Sequence, residues 1–112
     1  MQSHAIARKA AEVDMDTDAI YKALTNPVRR QILSWLKTPA QHFDQPGFSV
    51  ELGVSVGLIE ARVPLAQSTV SAHISILRDA GLIQAQRVGQ WIFVRRNESM
   101  VSAFLDHVNQ DI

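Results

Sequence analysis

Residues 67–83, QSTVSAHISILRDAGLI, carry two patterns at once. Val70, Ile74 and Leu77 recur at i, i+4 and i+7, the spacing of an apolar stripe along one side of an α-helix. Thr69, Ser71, Ala72, Ser75 and Arg78 fall on the other side, so the helix that this spacing predicts from Gln67 to about Ala80 turns short hydrogen-bonding groups outward. Gly81 follows at the place where a positive φ ends a helix, and beyond it the hydrophobic period changes.

The period becomes two. Leu82–Arg87 and Gln90–Arg95 alternate as strands do, around Val88-Gly89, which predicts a β-hairpin. Asn97 then caps a last helix in which Met100, Phe104 and Val108 recur at i, i+4 and i+8 beside Val101 and Leu105, a stripe that needs a partner surface. Upstream, residues 54–63, VSVGLIEARV, suit a short helix capped by Ser55 and stopped by Pro64. Asp16-Thr17-Asp18 leads into a helix through Ile20 and Leu24, and Asn26-Pro27 starts another, with Val28, Ile32, Trp35 and Leu36 on its apolar side and Arg29 and Arg30 off it. Between them lies Thr38 to Phe48, with Pro39, Pro46 and Gly47, which reads as a loop longer than the usual connection of about 4–6 residues. Such a loop is either functional or exposed padding. Residues 1–15 are either a loose arm or the first helix.

The 112 residues suit one domain, 1–112, of a mostly α class with a small β-hairpin (α+β). The chain has no cysteine, which removes disulfides and thiolate chemistry together. No apolar run approaches the roughly 20 residues that span a bilayer, and MQSHAIARKAAEVDMD lacks the apolar core of a signal peptide, so a cytoplasmic protein away from membranes is expected. Net charge is zero but uneven: −1 over residues 1–61, +4 over 62–96 and −3 over 97–112. No phosphate-binding glycine loop or nucleophile motif surrounds the four histidines, His4, His42, His73 and His107, so an enzyme is not expected and no cofactor is called for.

Two short helices followed by a hairpin with arginines is the element order of a winged helix-turn-helix. Here the recognition helix would occupy 66–81, the wing 82–96 and a dimerisation helix 97–110. The major groove admits one α-helix, and a two-stranded wing beside it can reach phosphates or the adjacent minor groove. Small outward side chains let a backbone approach base edges while offering donors and acceptors. The same face also fits a merely solvated helix surface, or a surface for binding another protein.

Three ordered segments resemble the ArsR family of bacterial repressors. ALTNPVRRQILSWL (23–36) is similar to its opening motif, LAQSTVSAHISILRDAGLI (65–83) to its recognition helix, and QRVGQWIFVRRN (86–97) to its wing. The resemblance implies a winged-helix homodimer that binds a palindromic double-stranded DNA operator and represses transcription until a signal weakens binding. By position it assigns Gln67, Ser68, Thr69, Ser71 and His73 to groove reading, with Arg87 and Gln90 on the wing. For His73 a partly buried structural histidine is the competing assignment. Dimerisation through the first and last helices would use Ile20, Leu24, Met100, Phe104, Leu105 and Val108.

The resemblance has departures. Where many relatives place a Cys-Val-Cys metal pair, this chain has Ser55-Val56-Gly57, which supplies no thiolate. Asp106-His107 lies where a second family site has ligands, but a further ligand would have to come from His4 or a partner subunit, and a solvated helix end is the alternative; no metal is expected. Ala66 replaces the usual capping serine, a change worth about 1 kcal/mol of helix stability. The expected signal is a small organic inducer or a redox-independent partner, or none.

Overall fold

The computed structural model describes residues 14–112. Helix α1, Thr17–Ala23, starts at Asp16, whose side chain accepts from the Ala19 amide at 3.1 Å. Asn26 starts α2, Pro27–Lys37, its Oδ1 accepting from Val28 and Arg29 amides at 2.8 and 3.2 Å. The two arginines off the apolar stripe of α2 fold back over the end of α1. Arg29 donates from Nε to the Ala23 carbonyl at 2.7 Å and from Nη2 to Lys22 at 3.2 Å, and Arg30 donates to Leu24 at 2.6 Å. The last carbonyls of a helix lack intrahelical donors and carry partial negative charge, and two guanidinium groups answer both needs.

The stretch after α2 is anchored rather than slack. It contains a 3-10 turn, Pro39–Gln41, and Phe43 packs edge-on to Trp35 with ring centroids 5.8 Å apart. The Arg62 guanidinium lies over both rings, at 4.7 and 5.7 Å, and donates to the His42 carbonyl. Gln45 donates to the Gly53 carbonyl at 3.0 Å and accepts from the Ser55 amide at 2.9 Å, so its side chain stands in for a neighbouring strand.

That strand-like pairing matters because Val54–Ser55 is strand β1, whereas the sequence places these residues in a helix. Helix α3 is shorter, Val56–Arg62, and Ser55 caps it by accepting from Leu58 at 3.4 Å. A two-residue strand has no period to read. Tertiary pairing decides it, because Val54 lies fully buried opposite Val94. Gly53 makes the approach possible. It has φ +92°, and a Cβ there would stand 2.2 Å from the Val94 carbonyl oxygen.

Helix α4 spans Gln67–Asp79 and buries Val70, Ile74 and Leu77. It ends with Gly81 at φ +82°, the Leu82 amide donating to Leu77 at 3.0 Å and the Gly81 amide to Arg78 at 2.9 Å, the paired bonds of a Schellman motif. Strands β2, Ile83–Val88, and β3, Trp91–Arg96, form the hairpin, and the sheet order is β1-β3-β2, all antiparallel. Asn97 closes the hairpin at its base. Its amide donates to Leu82 at 2.9 Å and its side chain to Gly81 at 2.9 Å, while its Oδ1 accepts from Met100 at 3.3 Å to start α5, Glu98–Asp111.

One core joins these elements: Ile20, Ile32, Leu36, Val54, Ile59, Leu77, Leu82, Ile83, Val94, Met100 and Phe104 are all buried in it. The described residues therefore give five α-helices and a three-stranded antiparallel sheet, an α+β winged helix-turn-helix. None of these helices is long and apolar enough to cross a membrane.

Candidate nucleic-acid interface

α3 and α4 form the helix-turn-helix, joined across the buried Val63 and the exposed Pro64, Leu65 and Ala66. Burial of Val70, Ile74 and Leu77 sets the rotation of α4 about its axis, so Gln67, Ser68, Thr69, Ser71 and Ala72 are exposed together. No side chain caps its N-terminus and no acidic residue lies in its own first turn. Gln67 donates to Glu60 of α3 at 3.1 Å, a surface contact that holds the amide beside the turn.

His73 is half-buried and stands behind that face. Its Nδ1 lies 3.1 Å from Arg29 Nη1, the guanidinium that also caps α1. Because arginine can only donate, Nδ1 accepts and the ring proton sits on Nε2. Burial holds the ring below the usual histidine range, and the Arg29 charge pushes the same way. His73 thus ties α4 to α1 and α2.

On the wing, Arg87 and Gln90 are exposed, and Arg87 Nε donates to the Gly89 carbonyl at 3.2 Å across the turn. Three of the other basic residues of the +4 segment are spent on structure. Arg62 covers Trp35 and Phe43, Arg95 donates to Gln84 at 3.1 Å and to the Glu51 carbonyl, and Arg96 pairs with Glu98 at 2.9 Å. Arg78 pairs with Asp79 at 3.4 Å on the surface. The wing also exposes apolar residues that the sequence reading leaves unassigned: Val88 and Trp91, paired beside the turn, and Ile92. Their position was legible in principle, since a strand end next to a two-residue turn projects beyond the core.

The residues expected at a dimer interface divide. Ile20, Met100 and Phe104 are buried in the core of this single chain: Met100 lies against Gly81, and Tyr21 of α1 meets Phe104 edge-on at 5.1 Å. Leu24 and Val108 are half-buried, and Leu105 is 59% exposed. Of the expected set, Leu24, Leu105 and Val108 therefore remain at least partly open at the surface, with Tyr21 and Val101 beside them. Near the C-terminus, His107 Nδ1 lies 3.2 Å from Asp111 and stacks on Phe104, and His4 lies outside the described residues. Among the described residues no three His, Asp or Glu side chains gather as a metal site.

A family profile described as bacterial regulatory protein, arsR family, matches residues 52–85, from Leu52 before β1 through Ala85 in β2. The chain is also 37% identical over 100 residues to YbzH of Bacillus subtilis strain 168, an uncharacterized HTH-type transcriptional regulator, covering 88% of this chain and all of that protein. The chain belongs to the ArsR family. It is thus a transcription regulator of a DNA-binding family, not an enzyme. The transcriptional activator HlyU of Vibrio cholerae is 29% identical over 87 residues, 78% of this chain and 68% of that one. The HlyU structure superposes with a TM-score of 0.55 at 27% identity over 92% of each chain. An ArsR-like regulator from Rhodococcus sp. RHA1 shares the fold, with a TM-score of 0.63 at 18% identity, over 84% of this chain and 76% of that one.

Proposed function

We propose that this ArsR-family regulator is a homodimeric repressor that reads a palindromic double-stranded DNA operator with the exposed face of α4, holds the backbone with its wing, and lacks a thiolate metal switch. The observation that carries this reading is the α4 face itself: Gln67, Ser68, Thr69 and Ser71 exposed together on a helix whose opposite side is locked into the core. Gln67 suits adenine, Ser and Thr suit any base, and the open helix N-terminus suits a phosphate. Arg87 and Gln90 supply wing contacts, and His73 acts by positioning α4 through Arg29, its Nε2–H left for a phosphate. Ser55 serves as the cap of α3 where a thiolate would be needed.

Dimerisation through Tyr21, Leu105 and Val108 would set two copies of α4 one helical turn of DNA apart. Selection from a random duplex library should then recover an inverted repeat with half-sites about 10 bp between centres. Recovery of unrelated sequences, or of a single half-site, would count against it. A reporter carrying that repeat across a promoter should be silenced by the protein; activation would reverse the sign of regulation. The exposed Val88, Trp91 and Ile92 favour a second reading, a winged-helix module that binds protein, in which the library would yield no enriched sequence.

A further inference from the structure

A cleft of about 680 Å³ lies between the 38–53 segment and the base of the wing, and no residue of α4 lines it. Its size is that of small-molecule sites, which run from about 300 to 1,000 Å³ with mostly apolar linings and a few placed polar groups. Leu36, Phe48, Val54 and Val94 supply the apolar floor. The charged residues at its rim do not cancel. Arg96 and Glu98 neutralise each other at 2.9 Å. That leaves Lys37 and Arg95 against Glu51 alone in the lining, and among the described residues Arg95 is held by neutral acceptors, the Gln84 side chain and the Glu51 carbonyl. Among the described residues, Lys37 makes no ion pair.

From this cleft we infer a binding site for a small apolar acid, a molecule with an aromatic or aliphatic body and one carboxylate or sulfonate, with Arg95 and Lys37 taking the anion. The site deepens the regulator reading above by giving the repressor an effector, and its regulatory consequence rests on that reading. Arg95 lies on β3 directly opposite Gln84 on β2, and its bond to Glu51 ties the 38–53 segment to the wing. An adjoining cleft, which reaches Arg78 and Gly81 at the end of α4, shares Glu51, Gln84 and Arg95, so this guanidinium stands between the effector site and the recognition helix. An anion that draws Arg95 from the Glu51 carbonyl releases the segment from the wing base. The angle of the wing to α4 then changes, and by linkage DNA and ligand weaken each other's binding equally.

The test uses the full chain and two dyes, 8-anilinonaphthalene-1-sulfonate and its uncharged analogue N-phenyl-1-naphthylamine. Expected is one saturable site per chain, with the sulfonate bound about tenfold tighter, the factor expected of one charge-assisted hydrogen bond. Arg95→Gln should erase that preference while the neutral dye still binds. Ala40→Phe, or Val50→Phe should the first variant fold poorly, should fill the cleft and abolish both without shifting the thermal midpoint. Equal binding of the two dyes, or sulfonate binding unchanged in the filled variants, overturns the site. Fluorescence anisotropy of a labelled duplex then reads the coupling: the sulfonate should release DNA from the unmodified chain and not from the filled variant. Dye binding that leaves DNA affinity untouched overturns the coupling. A chain that binds the dye as expected but no duplex at all contradicts the regulator reading and leaves the site standing.

Discussion

His73 shows how one side chain of α4 can tie that helix to its neighbours. Its proton sits on Nε2 because Arg29 occupies Nδ1, and the ring is kept neutral by burial and by that guanidinium. A histidine whose folded pKa lies below its unfolded value, about 6.5, costs stability once the unfolded chain takes up the proton that the folded one resists. Stability should therefore be full above about pH 6.5 and fall as the pH drops from there towards the folded value. In urea titrations, His73→Gln should lose less stability between pH 7 and 5.5 than the unmodified chain; an identical decline would remove His73 from the account. Arg29→Met removes three hydrogen bonds at once, and should lower stability by on the order of 2 kcal/mol at neutral pH. Neither role was legible in sequence, because it depends on residues 44 positions apart meeting in space. What the sequence did expose was the local half: helical spacing told that Val70, Ile74 and Leu77 of α4 face inward, and hence that Thr69, Ser71 and Ala72 face out.

At the scale of elements, caps and stops were the most readable features. Asp16, Asn26, Ser55, Asn97 and Gly81 each announce a boundary through short-range chemistry, and each makes the bond that chemistry requires. β1 was unreadable for the opposite reason: its two residues become a strand only because β3 is beside them. The anchoring of the 38–53 segment was hidden likewise, in Gln45 and Arg62 reaching partners 8 to 20 residues away. Gly53→Ala tests the β1–β3 contact. A Cβ 2.2 Å from the Val94 carbonyl, on a backbone with φ +92°, should cost on the order of 3 kcal/mol in denaturant unfolding and loosen the wing base. Gly57→Ala, where a Cβ meets nothing within 4 Å, should be close to neutral or stabilising.

For the whole molecule, the sequence located the charge but not its use. Of the five arginines between residues 62 and 96, three hold the fold together, so the proposed DNA contacts fall to the α4 N-terminus, Arg87 and a few others. The apolar side of α5 is likewise used within the chain, where Met100 and Phe104 are buried and Phe104 meets Tyr21 edge-on at 5.1 Å, which leaves Leu105 for the proposed dimer. Leu105→Glu should convert the protein to a monomer in sedimentation equilibrium with an unchanged circular dichroism spectrum; a persisting dimer would place the interface elsewhere. The most direct test of the central claim is an anisotropy titration over a salt series, using the full chain against the duplex upstream of its own gene and a scrambled duplex of equal length. Preference for the first duplex should survive rising salt while overall affinity falls. Ser71→Ala should narrow that preference with little loss of stability, and Arg87→Ala should weaken both duplexes alike and reduce the salt slope by about 1. Equal affinity for the two duplexes, or both variants binding like the unmodified chain, would contradict the account.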